Sequence, residues 1–457
     1  MSTHALGHNL TSRLRFSWKL FVSQRPSTVR YVVLFGLCLA AGLAYVHRGC
    51  FGVAETTIRG DLHLTVDQTA WAASIFFWTY ALFQIPTGLL VDRWGSRNSL
   101  LLFGLLGAFT LALGAGTLVL GATVGFFVLF SSRALMGIAQ AGLFPASTRC
   151  IATWFPLRRR AFAAGTLQAC MSIGGAVGAI ITGELLVFVS WPWVFITFAI
   201  PGVIWSFWFF GWYRDRPADH RSVNDAEIEL LKPPPKEVTL AEPAGPTPWL
   251  RLATRPKLLW LCSSQYFRAG ANVFWLTWCP TYLQNVYGLS PKDSGLLTSL
   301  PFIGVVLGSL FGGWLSDCVL AKTGSKRWSR NGVSIITAAI GIGFFVLAWL
   351  IPAGPYVAIA FLFLAAVFTA PGNPCSYSVS IDIGGKYMAV VFGAMNMLGN
   401  FGSATFPLIV PPWTKEFGWI TMPLLMGLIY FAGLICWCFV NPDGTVLEPK
   451  RKASPVA

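Results

Sequence analysis

Twelve runs of about twenty apolar residues divide this chain of 457 residues. They lie near 31–57, 70–91, 98–118, 122–146, 160–188, 192–213, 258–287, 294–317, 331–351, 355–379, 387–410 and 417–440. A helix needs about 20 such residues to cross about 30 Å of hydrocarbon. In lipid, a single segment satisfies its own backbone polar groups only as a helix. Only 11% of the residues are charged, whereas a soluble domain carries about 25%. The runs therefore predict an all-α membrane protein with twelve transmembrane helices.

The net charge of +15 would suggest nucleic acid if it were gathered on one surface, and it is not. Of 33 Lys and Arg, 27 fall in the two tails and in alternate connections, while only Arg59, Lys292 and Lys415 fall in the others. Positive charge of this kind stays on the cytoplasmic side. Both termini and the central connection are thus expected in the cytoplasm, most simply at a bacterial inner membrane. The bilayer, and no nucleic acid, is the implied macroscopic partner. Residues 214–257 form the one long polar break, with Pro233-Pro234-Pro235 and a short helix expected at Asp225–Leu231. The predicted organisation is a tail (1–30), a six-helix bundle (31–213), a linker (214–257), a second bundle (258–441) and a tail (442–457), in a monomer. The ten cysteines are scattered and show no metal-ligand spacing, so they read as packing residues; no cofactor is expected. The N-terminus has no signal-peptide pattern. The single Asn-x-Thr triplet, at Asn9, falls in the tail.

Gly88-Leu-Leu-Val-Asp92-Arg93-Trp-Gly95-Ser-Arg97 joins the second run to the third. So short a connection makes these helices antiparallel neighbours, with their charges on the water side. The stretch resembles the loop between helices 2 and 3 of the major facilitator superfamily, and every fixed position of that pattern is filled. Gly313-Trp-Leu-Ser-Asp317 echoes its start 225 residues later, again at the end of the second run of a half. The resemblance implies two pseudo-symmetric six-helix bundles, related by an axis along the membrane normal. Asp92, with Asp317 as its echo, would pair across the cytoplasmic face and gate the transport cycle. Pro86, Pro145, Pro280, Pro301 and Pro407 are expected to allow bending. Gly165, Gly174, Gly175 and Gly178 are expected to permit close packing of the fifth helix.

Arg48, Arg133 and Arg268 lie inside the first, fourth and seventh runs. Charges persist in hydrocarbon where they pair or line a cavity, and internal acids are too few to neutralise all three. Fixed guanidinium forks suit an anion. Tyr45-Val-His47-Arg48, Trp78-Thr-Tyr80-Ala-Leu-Phe-Gln-Ile-Pro-Thr-Gly88, Arg133-Ala-Leu-Met-Gly137, Leu276-Thr-Trp-Cys-Pro280 and Asn396-Met-Leu-Gly-Asn400 resemble stretches of the anion:cation symporter family. That family includes bacterial sugar-acid permeases and vesicular anion transporters. By this resemblance Arg48, Tyr80, Arg133, Gln168, Ser376 and Asn400 would line the substrate site. Arg268 has its match in the vesicular members.

Two positions depart from the family. His47 stands where the family has a proton-handling Asp, and Gln140 replaces an acid seven residues after Arg133. Arg133 and Gln140 share a helix face, about 10 Å apart along the axis. Any proton coupling would pass through His47, whose ordinary pKa near 6.5 suits a switch, with Glu55 and Asp382 as weaker candidates. The expectation is a secondary transporter of a small organic anion such as a sugar acid, and no enzyme: the spans hold no metal motif, paired acids or nucleophile elbow. A histidine-linked symport is the first choice. Alternatives are an uncoupled anion facilitator and an exporter of amphipathic compounds, whose pocket would use aromatics such as Phe76, Phe77, Trp78, Trp275 and Trp278.

Overall fold

The computed structural model describes residues 25–119, 122–231, 252 and 254–447. Most of each tail, Asn9 and the Pro233–Pro235 run lie outside the described residues. The first span is Val29–Asp61, and the second and third form one rod, Val66–Ala115. The fourth comprises Ala122–Ala141 and Leu143–Trp154, the fifth Leu157–Phe188 and the sixth Trp191–Trp212. The seventh is broken into Pro256–Asn272, Phe274–Thr277 and Cys279–Tyr287. The eighth is Pro291–Thr323, the ninth Val333–Leu350, and the tenth Pro355–Thr369 with Gly372–Gly384. Met388–Phe417 and Met422–Phe439 are the eleventh and twelfth.

Among the described residues nine helices are individually long and apolar enough to cross a membrane. One of them, the 50-residue rod, would be about 75 Å long at 1.5 Å per residue, so it holds two spans. The broken seventh and the eleventh complete the twelve.

The rod folds back at Gly95, whose backbone (φ 78°, ψ 163°) leaves the helical region. Only glycine adopts this conformation readily. A Cβ there would also stand 2.4 Å from the Asp215 carboxylate, which accepts the Arg97 N–H at 3.0 Å. The turn is therefore pinned to the segment after the sixth span. Thr65 and Gln68 start the rod with reciprocal bonds, Thr65 Oγ1 accepting the Gln68 N–H at 3.2 Å and Gln68 Oε1 the Thr65 N–H at 2.8 Å.

The first residue of the first span and the last of the twelfth lie on one face, called here the terminal face; the Asp92 turn shares it. The opposite one is the far face. On the terminal side each half has its own core. Val33, Leu37, Trp154 and Phe209 belong to the first half, and Leu258, Val379, Val391 and Trp437 to the second. On the far side one core crosses both halves, joining Phe51, Phe76 and Trp191 to Trp275, Leu362 and Met422. The molecule is thus a wedge, closed at the far face and parted at the terminal face. The fifth span packs on the eighth and the second on the eleventh to make the seam.

Three of the four glycines of the fifth span pack as expected. A Cβ at Gly174 would meet the Gly42 backbone at 2.4 Å, at Gly175 the Phe302 ring at 2.7 Å, and at Gly178 Val46 at 2.9 Å. Gly165, nearer the terminal face, meets nothing within 4 Å. It lies where the halves have separated. The helix expected at Asp225–Leu231 is present and belongs to the first half: buried Glu227 accepts from Ser27 and pairs with Arg30 at 2.9 Å.

Candidate functional site

The fourth, seventh and tenth spans each break near mid-depth. Gly142 interrupts the fourth, where a Cβ would stand 2.0 Å from the Phe103 ring. Val273 and Trp278 interrupt the seventh, and Ala370-Pro371 the tenth. The backbone stays in the right-handed helical region at Gly142, Val273, Trp278, Ala370 and Pro371, so each break is a kink and no segment is unwound. Arg133 and Arg268 stand within ten residues of such breaks, and Arg48 lies in the unbroken first span.

Arg48 and Arg133 meet at one ring. Their guanidinium carbons lie 5.0 and 5.1 Å from the Phe76 centroid. Arg48 also faces Tyr45 and Tyr80, each at 4.9 Å, and Arg133 faces Phe51 at 4.6 Å. Desolvated cation–π contacts are worth about 2 kcal/mol each, so these rings offset part of the burial of two like charges. The hydrogen bonds add little charge compensation. Arg48 Nε donates to the neutral amide oxygen of Gln140, whose own amide donates to the Ala44 carbonyl at 3.3 Å. Arg133, only 3% exposed, reaches the Met136 sulfur at 3.6 Å, and its Nε has no acceptor. In the second half Arg268 Nε donates to Gln265 Oε1 at 2.9 Å. Among the described residues none of these arginines pairs with a carboxylate.

The other expected site residues separate into groups. Tyr80 stays with Arg48. Asn400 donates to its own helix at Asn396 O, 3.1 Å, and reaches Gln84 Oε1 across the seam at 3.5 Å. Ser376 donates its hydroxyl to Gly372 O at 2.7 Å, within its own helix. Gln168 is half-buried on the fifth span and touches none of the three arginines among the described contacts. His47 turns away from Arg48: its Nε2 bonds the Phe198 carbonyl of the sixth span at 3.0 Å. It borders a cavity of about 30 Å³ inside the first half, which Gln140, Phe103 and Trp205 also line.

Glu55 lies at the far seam, 1% exposed. It accepts the hydroxyls of Thr69 at 2.7 Å and Thr281 at 3.1 Å, and pairs with Arg59 at 3.1 Å. Gln284 reinforces this seam by bonding Thr56, the Val53 carbonyl and Ser294. At the terminal face Asp92 pairs with Arg149 of its own half at 2.9 Å, well exposed. Arg97 Nε donates to Phe210 O at 2.8 Å, Arg93 is exposed, and a Cβ on Gly88 would meet nothing within 4 Å. In the second half Asp382 bonds Lys326 at 2.8 Å, and Arg330 faces both Asp382 and Asp317 at 3.6 Å.

Phe51, Gln265 and Thr281 were not foreseen as partners of the charged groups. Gln265 stands one turn before Arg268, so helical spacing carried a faint signal there, whereas Phe51 meets Arg133 from another span. Thr281 carried none, because its partner lies in the other half. Of the aromatics assigned to an exporter's pocket, Phe76, Phe77, Trp275 and Trp278 are at most 5% exposed. They belong to the core that joins the two halves on the far side.

The sequence pattern described as Major Facilitator Superfamily matches residues 37–407 and, in a second match, 280–456. A protein of Cupriavidus necator described as "Probable sulfoacetate transporter" is 29% identical over 95% of this chain and 99% of its own length. A D-galactonate transporter of Escherichia coli is 26% identical over 92% of this chain and 97% of its own. A hexuronate transporter of Bacillus subtilis is 28% identical, over 90% and 94%. Among solved structures, a bacterial homologue of the human lysosomal transporter Spinster, in an inward-facing, unoccupied conformation, superposes with a TM-score of 0.70 at 17% identity, over 91% of this chain and 95% of its own. A D-xylose–proton symporter gives 0.66 at 16%, over 91% and 98%. With two six-helix halves around a central cleft and a family match across most of its length, this chain belongs to the Major Facilitator Superfamily.

Proposed function

We propose that this protein is a secondary transporter that carries a small organic anion by alternating access. The observation that carries the reading is the set Arg48, Arg133 and Arg268, three cations held within three spans with only neutral hydrogen-bond partners among the described residues. Buried charge left without a counter-ion is costly, and an anionic ligand offsets that cost. The names of the relatives, carriers of sulfoacetate, D-galactonate and hexuronate, support the same class. The basic tails and connections support a cytoplasmic terminal face, with the wedge open inward. A bacterial inner membrane and a monomer suit this reading.

One observation favours a facilitator driven by the anion gradient alone. Gln140 cannot titrate, and His47 bonds the sixth span on the side away from Arg48. Purified protein in detergent, screened against organic acids by thermal shift and then assayed for uptake in proteoliposomes, tests the carrier. Stabilisation and saturable uptake of an organic anion are expected. Failure of every organic acid to bind or cross would refute it.

A further inference from the structure

The cleft holds more fixed charge than one carboxylate can answer, and the charge sits in two places. In the first half Arg48 and Arg133 flank Phe76, and the buried Arg133 Nε lacks any acceptor. In the second half Arg268 is held by Gln265 beside the break in the tenth span, where a Cβ on Gly372 would lie 3.6 Å from its Cδ. Tyr45 belongs to the first station, with the Arg48 guanidinium carbon 4.9 Å from its ring centroid. The acids that might have answered these charges are engaged elsewhere, Glu55 at the far seam and Asp382 and Asp317 with Lys326 and Arg330.

We propose that the transported anion is a short-chain dianion, with one acidic group on the Arg48/Arg133 station and the other on Arg268. The proposal rests on the carrier reading above and narrows its substrate. A monoanion bound at the first station would leave Arg268 with a neutral amide as its only hydrogen-bond partner. A dianion gives each half a counter-charge, and each fork of donors matches a carboxylate or sulfonate edge. Because the stations belong to opposite halves, a molecule bridging them also draws the halves together at the open face.

Matched pairs test this directly. Binding of succinate and butyrate, glucarate and gluconate, and sulfoacetate and propionate is measured calorimetrically on the full chain in detergent. In at least one pair the dianion is expected to bind about tenfold tighter or more. Arg268→Gln should weaken the dianion by about tenfold and the monoanion markedly less, and Arg268→Lys should retain part of the preference. Normal melting and gel-filtration behaviour show that both variants are folded. Equal affinity within every pair, or an Arg268→Gln variant that weakens both members alike, would overturn the dianion and leave the anion carrier standing. Binding of none of the six would overturn both.

Discussion

The Glu55 carboxylate of the first span accepts the Thr281 hydroxyl of the seventh at 3.1 Å, across the seam between the halves. Thr69 and Arg59 occupy the rest of that carboxylate. Opening the far face must part Glu55 from Thr281, so the bond stabilises only the far-closed state. Thr281→Val keeps the shape and leaves a buried acceptor short of a donor, at a cost of about 1–3 kcal/mol. Cys279, fully buried two residues away, serves as the probe. It is expected to react about tenfold faster with an impermeant maleimide added at the far face. A wild-type labelling rate would show that the bond does not hold the seam.

Arg133 is predicted to clamp the anion by its planar fork. Arg133→Lys keeps the charge and loses the bidentate geometry, and should weaken binding by about tenfold. Arg133→Ala should weaken it further, since a hydrogen bond to a charged group is worth about 1.5–3 kcal/mol. Wild-type affinity and uptake in a well-folded Arg133→Ala protein would exclude the clamp.

Asp92 lies at the terminal face, paired with Arg149 of its own half and far from the arginine cluster. Asp92→Asn should therefore move the conformational equilibrium more than intrinsic affinity. Spin-label distances between the Asp92 and Asp317 turns are expected to lengthen on average, with the anion's dissociation constant changed less than about twofold. Unchanged distances with impaired binding would assign Asp92 to the site instead.

His220, beyond the sixth span, is boxed by Trp212 at 4.7 Å and Trp154 at 5.8 Å, and its Nδ1 accepts the Ser222 N–H at 3.2 Å. Burial, aided by Arg214, holds its pKa below the ordinary 6.5, against the pull of Glu227. The folded segment therefore favours the neutral ring. Its contribution is complete above about pH 6.5 and is lost as the pH falls below that value, where the unfolded segment takes up the proton more readily. Amide exchange, corrected for the intrinsic pH dependence, should accelerate a few-fold over 217–228 between pH 7.5 and 5.5. In His220→Asn that acceleration should vanish; its persistence would place the sensitivity elsewhere.

The sequence made legible what depends on local composition. Apolar run length fixed the spans, and the Gly95 turn was visible in its motif because backbone sign and charge spacing are local properties. The arginines were legible because charge in hydrocarbon is conspicuous. What stayed hidden depends on rotation about a helix axis and on contacts between halves. His47 and Arg48 are adjacent in sequence, yet one faces the sixth span and the other the cleft. Glu55 read as a weaker coupling candidate, and only the fold brings Thr281 to it. Ser376 read as a site hydroxyl, whereas its bond to Gly372 O turns it to its own backbone.

The side of the helix on which His47 stands bears on how transport is driven. A coupling group must reach water from each face in turn and must sense the substrate. The Phe198 carbonyl only accepts, so the His47 Nε2 facing it carries the hydrogen. The ring's other surroundings are the small cavity between the first, third, fourth and sixth spans, all within one half. Motion of one half against the other leaves that environment unchanged. Gln140, the one polar link from this cavity to Arg48, has no proton to give up at working pH. Uptake of the anion into proteoliposomes is therefore expected to be the same with and without an inward proton gradient once membrane potential is clamped. His47→Gln, able to keep the bond to Phe198 through its amide, should transport at close to the wild-type rate under both conditions. A stimulation by the gradient that disappears in His47→Gln would establish the histidine as the coupling group and overturn the facilitator. A stimulation that survives the substitution would move the coupling to another acid, with Glu55 at the far seam the first to replace.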